Sequence, residues 1–210
     1  MKIAVIAAGG NLGKKIVRQA LDRGHEVKGF VHHRKEVDDR AVILEKSLFD
    51  MTAEDIMDCD AVISAFGSGF ETDPVINLQS FLKYIELNQG SDRHMIVIAG
   101  SGSLYMDAAH SVLGYEAPGY PSFMKEISRN TRLGIEEIKK SAINWTVMCA
   151  SQFFDQNGPL TGKYQVGTEE CHIRNERGDC YLTYEDMAMA MIDCAETGSY
   201  QKQVVTIGTL

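Results

Sequence analysis

Residues 3–13 read IAVIAAGGNLG, an apolar run that breaks into glycines and continues as a helical pattern. Gly10 and Gly13 have the spacing of the second and third glycines of a dinucleotide-binding turn. In such a turn the second glycine lets backbone approach a pyrophosphate, and the third lets the helix pack close to the strand. The helix behind offers unpaired N–H donors and the positive end of its dipole to an anion. The place of the first glycine is held by Ala7 or Ala8, according to the spacing variant, with Gly9 adding freedom beside it. Alanine is tolerable there while φ stays negative. Glycine-rich turns after strands also occur without a ligand; the position of this one, between the first strand and the first helix, favours a nucleotide. The end of the second strand is the companion test. An NAD-binding chain places an acidic residue about 20 positions on, where it accepts from the ribose hydroxyls. Here that zone holds His32, His33, Arg34 and Lys35. A guanidinium grips a 2′-phosphate with paired donors, whereas a carboxylate would repel it, so NADP(H) is favoured over NAD(H). A solvated basic turn would read the same way. A metal role for the histidine pair is disfavoured, because adjacent side chains diverge and no partner ligand has suitable spacing.

Such a turn needs a sheet behind it. Strand patterns fall at Lys2–Ala7, Glu26–His32, Val42–Glu45, Asp60–Ala65, Met95–Gly100, Trp145–Cys149 and Gln203–Ile207. Most are continuous apolar runs, as expected of strands buried on both faces of a parallel sheet. Helical patterns lie between them at Leu12–Asp22, Pro74–Gln89, Pro121–Ser141 and Glu185–Glu196, with Thr183 and Asp186 at capping-box spacing before the last. Strand–helix alternation implies right-handed crossovers and a single α/β, Rossmann-type doubly wound parallel sheet over residues 1–210, with helices on both faces. Two stretches interrupt the alternation, residues 101–120 and 151–181. Both follow strands that end on one sheet edge, where open α/β sheets bind ligands, so the substrate-side region is expected there.

Composition narrows the partners. With 21 basic against 29 acidic residues the formal net charge is −8, which argues against nucleic acid or an anionic membrane surface. The five cysteines form no CxxC pair, so neither a zinc ribbon nor a redox dithiol is suggested, and reduced thiols in a cytoplasmic protein are expected. No apolar run reaches the length of a membrane span, and Met1 leads directly into the first strand pattern, which leaves no room for a signal peptide. A small-molecule partner remains, and the sequence leaves oligomerisation open.

The ordered set of motifs resembles the atypical short-chain dehydrogenase/reductase superfamily. It is most similar to an NAD(P)H-binding branch that includes NADH-flavin-reductase-like, biliverdin-IXβ-reductase-like and NmrA-like proteins. The family turn GATGxxG is matched by Ala7-Ala8-Gly9-Gly10-Asn11-Leu12-Gly13. A strand end of the type DAVISALG is matched by residues 60–67, ending Ala65-Phe66-Gly67. One of the type GGAGSL is matched by residues 99–104, and a later WT…FF…TGxY by Trp145-Thr146, Phe153-Phe154 and Thr161-Gly162-Lys163-Tyr164. The resemblance spans essentially the whole chain and implies cofactor contacts from the turn, Ser47, Leu48, residues 65–67, Ser101 and Ala150. Three positions depart from it: Ala7 for the first glycine, Ser47 for an aspartate after the third strand, and Ala150 for a proline beside the nicotinamide. These bear on cofactor affinity rather than on fold.

The typical enzymes of the superfamily use a YxxxK pair, the lysine lowering the tyrosine pKa so that it protonates a carbonyl oxygen. No tyrosine here has a lysine four residues on; Tyr120 has Met124 there, with Lys125 one step too far. What the resemblance implies instead is hydride transfer from NADPH to a planar acceptor, the protein mainly orienting two rings. Flavin (FMN or FAD) would then enter as a substrate rather than as a prosthetic group. Ser103 is the candidate polar group near the hydride site, able to bond the carboxamide or the acceptor; a turn-forming serine would look the same. Tyr105, Tyr120, Phe153 and Phe154 are candidates to stack on the acceptor, although aromatic residues at such places often serve only to pack. Ser103, Asp107 and His110 make no hydrolytic triad, since no GxSxG elbow is present. The methionines at 187, 189 and 191 read as core or gap-filling residues. The alternative function is a non-catalytic NADP(H)-binding sensor of the NmrA-like kind.

Overall fold

The computed structural model describes residues 1–33, 36–170 and 173–210. Arg34, Lys35 and Cys171 therefore lie outside the described residues. Every expected strand and helix forms. In chain order the strands are β1 (Lys2–Ile6), β2 (Glu26–Val31), β3 (Val42–Glu45), β4 (Ala61–Ser64), β5 (His94–Ala99), β6 (Trp145–Ala150), β7 (Phe153–Asp155), β8 (Tyr164–Gly167), β9 (Tyr181–Thr183) and β10 (Gln203–Thr209). The helices are α1 (Asn11–Asp22), α2 (Val75–Asn88), α3 (Ser122–Lys140) and α4 (Tyr184–Thr197).

The main sheet runs β3-β2-β1-β4-β5-β6-β10-β8. Its first six strands have the order of the Rossmann fold, in which the chain returns past β1 to start the second half. Ile3, Ala4, Val5, Ala61, Val62, Ile63 and Ile96 are buried because helices cover both faces. Helices α1 and α4 pack together on one face, α2 and α3 on the other. The two apolar clusters divide accordingly: Ile3, Ile16, Ile63 and Met191 belong to the first, Phe30, Val62, Tyr84 and Ile135 to the second. Met187 and Met191 are fully buried there.

The sheet is parallel except at one edge. Strand β8, from the second insertion, pairs antiparallel with β10 through Tyr164↔Thr209 and Val166↔Ile207. The doubly wound parallel sheet therefore carries one antiparallel edge strand, supplied by the second insertion and paired to the outer side of β10. The same insertion forms a separate two-stranded parallel ladder, β7 with β9. Half of the expected capping box forms at α4. The Asp186 N–H donates to the Thr183 hydroxyl at 2.9 Å, but the Asp186 carboxylate turns to the second insertion, accepting from Thr161 N–H at 2.9 Å and Oγ1 at 2.8 Å. Among the described residues no helix is long and apolar enough to cross a membrane.

Candidate active site

The carboxyl ends of β1, β4, β5 and β6 open into one cleft of about 490 Å³, where the strand order reverses. On the β1 side Gly10, Asn11 and Leu12 line it. Gly10 is the N-cap of α1, no side chain caps that end, and the first turn holds no acidic residue. The first N–H groups of a helix have no partner within it, so this end is a cradle for an anion and suits a pyrophosphate. Gly13 is fixed by sterics: a Cβ there would lie 2.2 Å from the Ala7 carbonyl oxygen.

Ala7 departs from the negative φ that would suit alanine. Its φ is 61°, in the left-handed region, at a cost of about 1–2 kcal/mol for a residue with a Cβ. The turn enforces it. Gly10 N–H donates to Ala7 O and Ala8 N–H to Phe30 O, both at 3.0 Å, which winds the chain leftward where the family has glycine.

The other expected cofactor residues divide into two sets. Ala65, Phe66, Gly67, Ser101 and Ala150 line the cleft. His32 and His33 are exposed at the end of β2, outside that lining. Their rings do not diverge; the centroids are 3.9 Å apart. Ser47 donates its hydroxyl to Asp50 at 2.6 Å, and Leu48 is buried in the core, so neither lines the cleft. Gly9 is buried in the turn behind Gly10. Beneath Phe66, the Ser64 and Tyr84 hydroxyls are bonded at 2.8 Å, and burial pushes the Tyr84 phenol up to about 12, so this floor is uncharged.

On the acceptor side, the turn Ser101–Ser103 leaves β5 directly against α3. Gly102 permits the approach: a Cβ would come 2.2 Å from the Tyr120 hydroxyl and 2.5 Å from Ser128 Oγ. Those two hydroxyls are themselves bonded at 2.6 Å, and both residues line the cleft. Ser103 lines it too, though its hydroxyl makes a long 3.5 Å bond to the Ser128 carbonyl. Phe154 lines the cleft with Tyr184, their ring centroids 4.1 Å apart.

Tyr105 and Phe153 do not line the cleft. Phe153 is 64 % exposed on β7, stacked on Tyr181. Tyr105 accepts a 2.9 Å bond from Arg132, and its ring is stacked on His110 at 4.1 Å. Its N–H donates to the Glu169 carbonyl at 3.0 Å, so Tyr105 ties the first insertion to the second. Buried Arg132 completes the tie, donating to the Ser103 carbonyl at 3.1 Å and to the Glu169 carboxylate at 2.5 Å. Burial alone would raise the Glu169 carboxyl, but Lys139 and Arg132 outweigh it and hold it below its ordinary value. Asn11 anchors the second insertion from the other side, donating to Gln156 at 3.0 Å. Phe70, Asn77, Ser128, Thr131, Gln152 and Tyr184 line the cleft without having been singled out by the sequence. Phe70 carried a signal of sorts, a lone aromatic after two glycines in the GSGFETDP loop. Among the described residues no group of three or more His, Cys, Asp or Glu side chains is placed to hold a metal ion.

The profile of the NAD(P)H-binding family matches residues 7–197, from the turn through α4. The chain belongs to this family. It is 33 % identical to YwnB, an uncharacterized protein of Bacillus subtilis (strain 168), over 99 % of this chain and 98 % of that one. A crystal structure from Streptococcus pneumoniae TIGR4, of a protein provisionally named an NADH-flavin reductase, superposes with a TM-score of 0.93 at 31 % identity, covering all of both chains. ChuY, an anaerobillin reductase of Escherichia coli O157:H7, shares the fold alone, at 15 % identity and a TM-score of 0.70 over all of this chain and 97 % of that one.

Proposed function

We propose that the protein is an NADPH-dependent reductase that passes hydride to a flavin or another small conjugated acceptor. The observation that carries this reading is the single cleft that joins the uncapped α1 N-terminus to Ser103, Tyr120 and Phe154. The likeness to the Streptococcus protein, whose name is that of a flavin reductase, supports the same chemistry. Bound in the cleft, NADPH supplies the hydride. The chain's own contribution is placement: the α1 N-terminus holds the pyrophosphate, and the Ala65–Gly67 and Ser101–Ser103 turns border the nicotinamide half. Ser103 and the Tyr120–Ser128 hydroxyl pair present hydrogen-bonding groups to the acceptor, while Phe154 and Tyr184 offer ring faces. With no YxxxK pair, orientation of the two rings rather than a lowered tyrosine pKa does the catalytic work. In this reading Arg34, beyond His32 and His33, takes the 2′-phosphate. The protein acts in the cytoplasm on a small molecule, with Ser103 as its catalytic side chain; Tyr105 positions the Ser103 turn through Arg132.

A second reading, an NADP(H) sensor without turnover, is favoured by one observation: Ala7 strains the turn that grips the pyrophosphate. Stopped-flow NADPH oxidation with FMN, riboflavin and benzoquinone separates the two. Turnover on at least one acceptor, with Arg34→Ala weakening NADPH but not NADH, is the expected result. Tight NADPH binding with no turnover on any acceptor would leave the sensor, and calorimetry showing neither nucleotide bound would remove both.

A further inference from the structure

Beside the acceptor half of the cleft, Phe70, which lines it, meets Phe123, which does not. Phe70 lies on the loop between β4 and α2, and Phe123 lies in the first turn of α3. Their centroids are 5.2 Å apart, edge to face at 80°. Phe70 lines the cleft, yet it is 68 % exposed and Phe123 is 63 % exposed. Two phenyl rings left this open forgo much of the roughly 1.5–3 kcal/mol that full burial of each would contribute.

The lining near the rings is mixed: Phe81, Met124 and Ile127 are apolar, while Asn77, Ser128 and Thr131 carry hydrogen-bonding groups. The Asn77 amide donates to Ser68 at 2.9 Å and to the Pro74 carbonyl at 3.0 Å, which leaves its oxygen to accept a bond from an incoming N–H. Apolar faces beside hydrogen-bonding groups suit a flat fused-ring molecule with heteroatoms along one edge. A compact single ring offers less face for the two phenyl rings to stack on.

We propose that Phe70 and Phe123 are the specificity-determining clasp of this site. They part to admit a planar, heteroatom-edged ring system and stack on its faces. This rests on the reading of the cleft as an acceptor site and adds what selects the acceptor. Stacking of this kind is worth roughly 0.5–1.5 kcal/mol per ring, up to about tenfold in affinity.

The test is riboflavin binding, followed by quenching of its fluorescence on the NADP⁺-saturated protein, alongside the KM for riboflavin and for benzoquinone. Phe70→Ala and Phe123→Ala should each weaken riboflavin binding and raise its KM by about tenfold. The same variants should move the benzoquinone KM less than about threefold, and calorimetry should find NADPH affinity within about twofold of wild type. Phe70→Tyr, which keeps the ring, should restore riboflavin binding. Riboflavin affinity unmoved in both alanine variants would overturn the clasp, and so would an equal loss for benzoquinone or no riboflavin binding by the wild type. None of those outcomes touches hydride transfer itself, which fails only if NADPH is oxidised by none of the acceptors.

Discussion

The two sides of the cleft are fastened in different ways. On the cofactor side the geometry is mostly local, held by backbone bonds within one turn and by Ala8 N–H to Phe30 O on the next strand. Ala7 to Gly13 close on themselves through Gly10 N–H to Ala7 O and Lys14 N–H to Gly10 O, with Gly13 excluded from any larger residue by the Ala7 carbonyl. On the acceptor side several ties are long-range. Ser103 meets Ser128 across 25 positions, Arg132 meets Glu169 across 37, and His110 meets Glu170 across 60. A turn held by its own backbone survives changes elsewhere in the chain. A wall held in part by the buried Arg132–Glu169 pair depends on both of its members, since a lone buried charge costs far more than a paired one. Nucleotide binding is therefore expected to be robust in this molecule, and acceptor placement to be fragile.

The harshest way to break that contrast is Arg132→Met. It removes the donor to the Ser103 carbonyl and to Tyr105, and strands the Glu169 carboxylate with Lys139 alone among the two cations that hold it. Breaking a buried pair of this kind costs about 3–5 kcal/mol, which urea denaturation will register. Riboflavin-dependent turnover should fall far more than NADPH affinity measured by calorimetry. If the two collapse together, the walls are one cooperative unit and the contrast is false.

A smaller blow falls on the second insertion alone. Asp186 is fully buried and accepts from Thr161 N–H and Oγ1, from Gly162 N–H at 3.3 Å and from Thr209 Oγ1 at 2.8 Å. Asparagine keeps the volume but can accept at one atom only, so some of these buried donors lose their partner, at about 2 kcal/mol. Asp186→Asn should expose the 159–164 segment to limited proteolysis while the Ser101–Ser103 turn, tied through Arg132, keeps its shape. Cleavage confined to that segment sharpens the picture to two independent anchors; a loss spread over both insertions reduces them to one.

The same division explains what could be read from the sequence. The strands of the parallel sheet and α1 were legible because strands buried on both faces are continuous apolar runs, and because Gly10 and Gly13 act within one turn. The antiparallel edge strand Tyr164–Gly167 was not, since its partner is β10, some 40 residues on, and its half-buried residues show no clean period. Tyr105 looked like an acceptor platform and is instead a tie between insertions, because its role is set by Arg132 and Glu169, neither near it in sequence. Phe70 went unremarked because a single aromatic in a glycine loop has no periodicity to betray it. Ala7 was located correctly and its backbone misjudged. Sequence spacing reports where a glycine is missing, while the sign of φ is decided by bonds to Gly10 and to Phe30 on the next strand.

That alanine offers the finest cut between the two sides. Glycine at position 7 relieves the left-handed strain of about 1–2 kcal/mol but adds about 0.5–1 kcal/mol of unfolded-state entropy, so the net gain in stability is about 0.5–1 kcal/mol. Ala7→Gly should therefore raise the denaturation midpoint slightly. The turn meets the pyrophosphate, which NADH and NADPH share, so any gain in affinity should be equal for the two nucleotides. The riboflavin KM should not move, because no bond of the turn reaches Ser103 or Phe70. A gain for NADPH alone would place the 2′-phosphate against this turn rather than beyond β2. A shift in riboflavin KM would show that strain in the local side of the cleft is felt by the distant one.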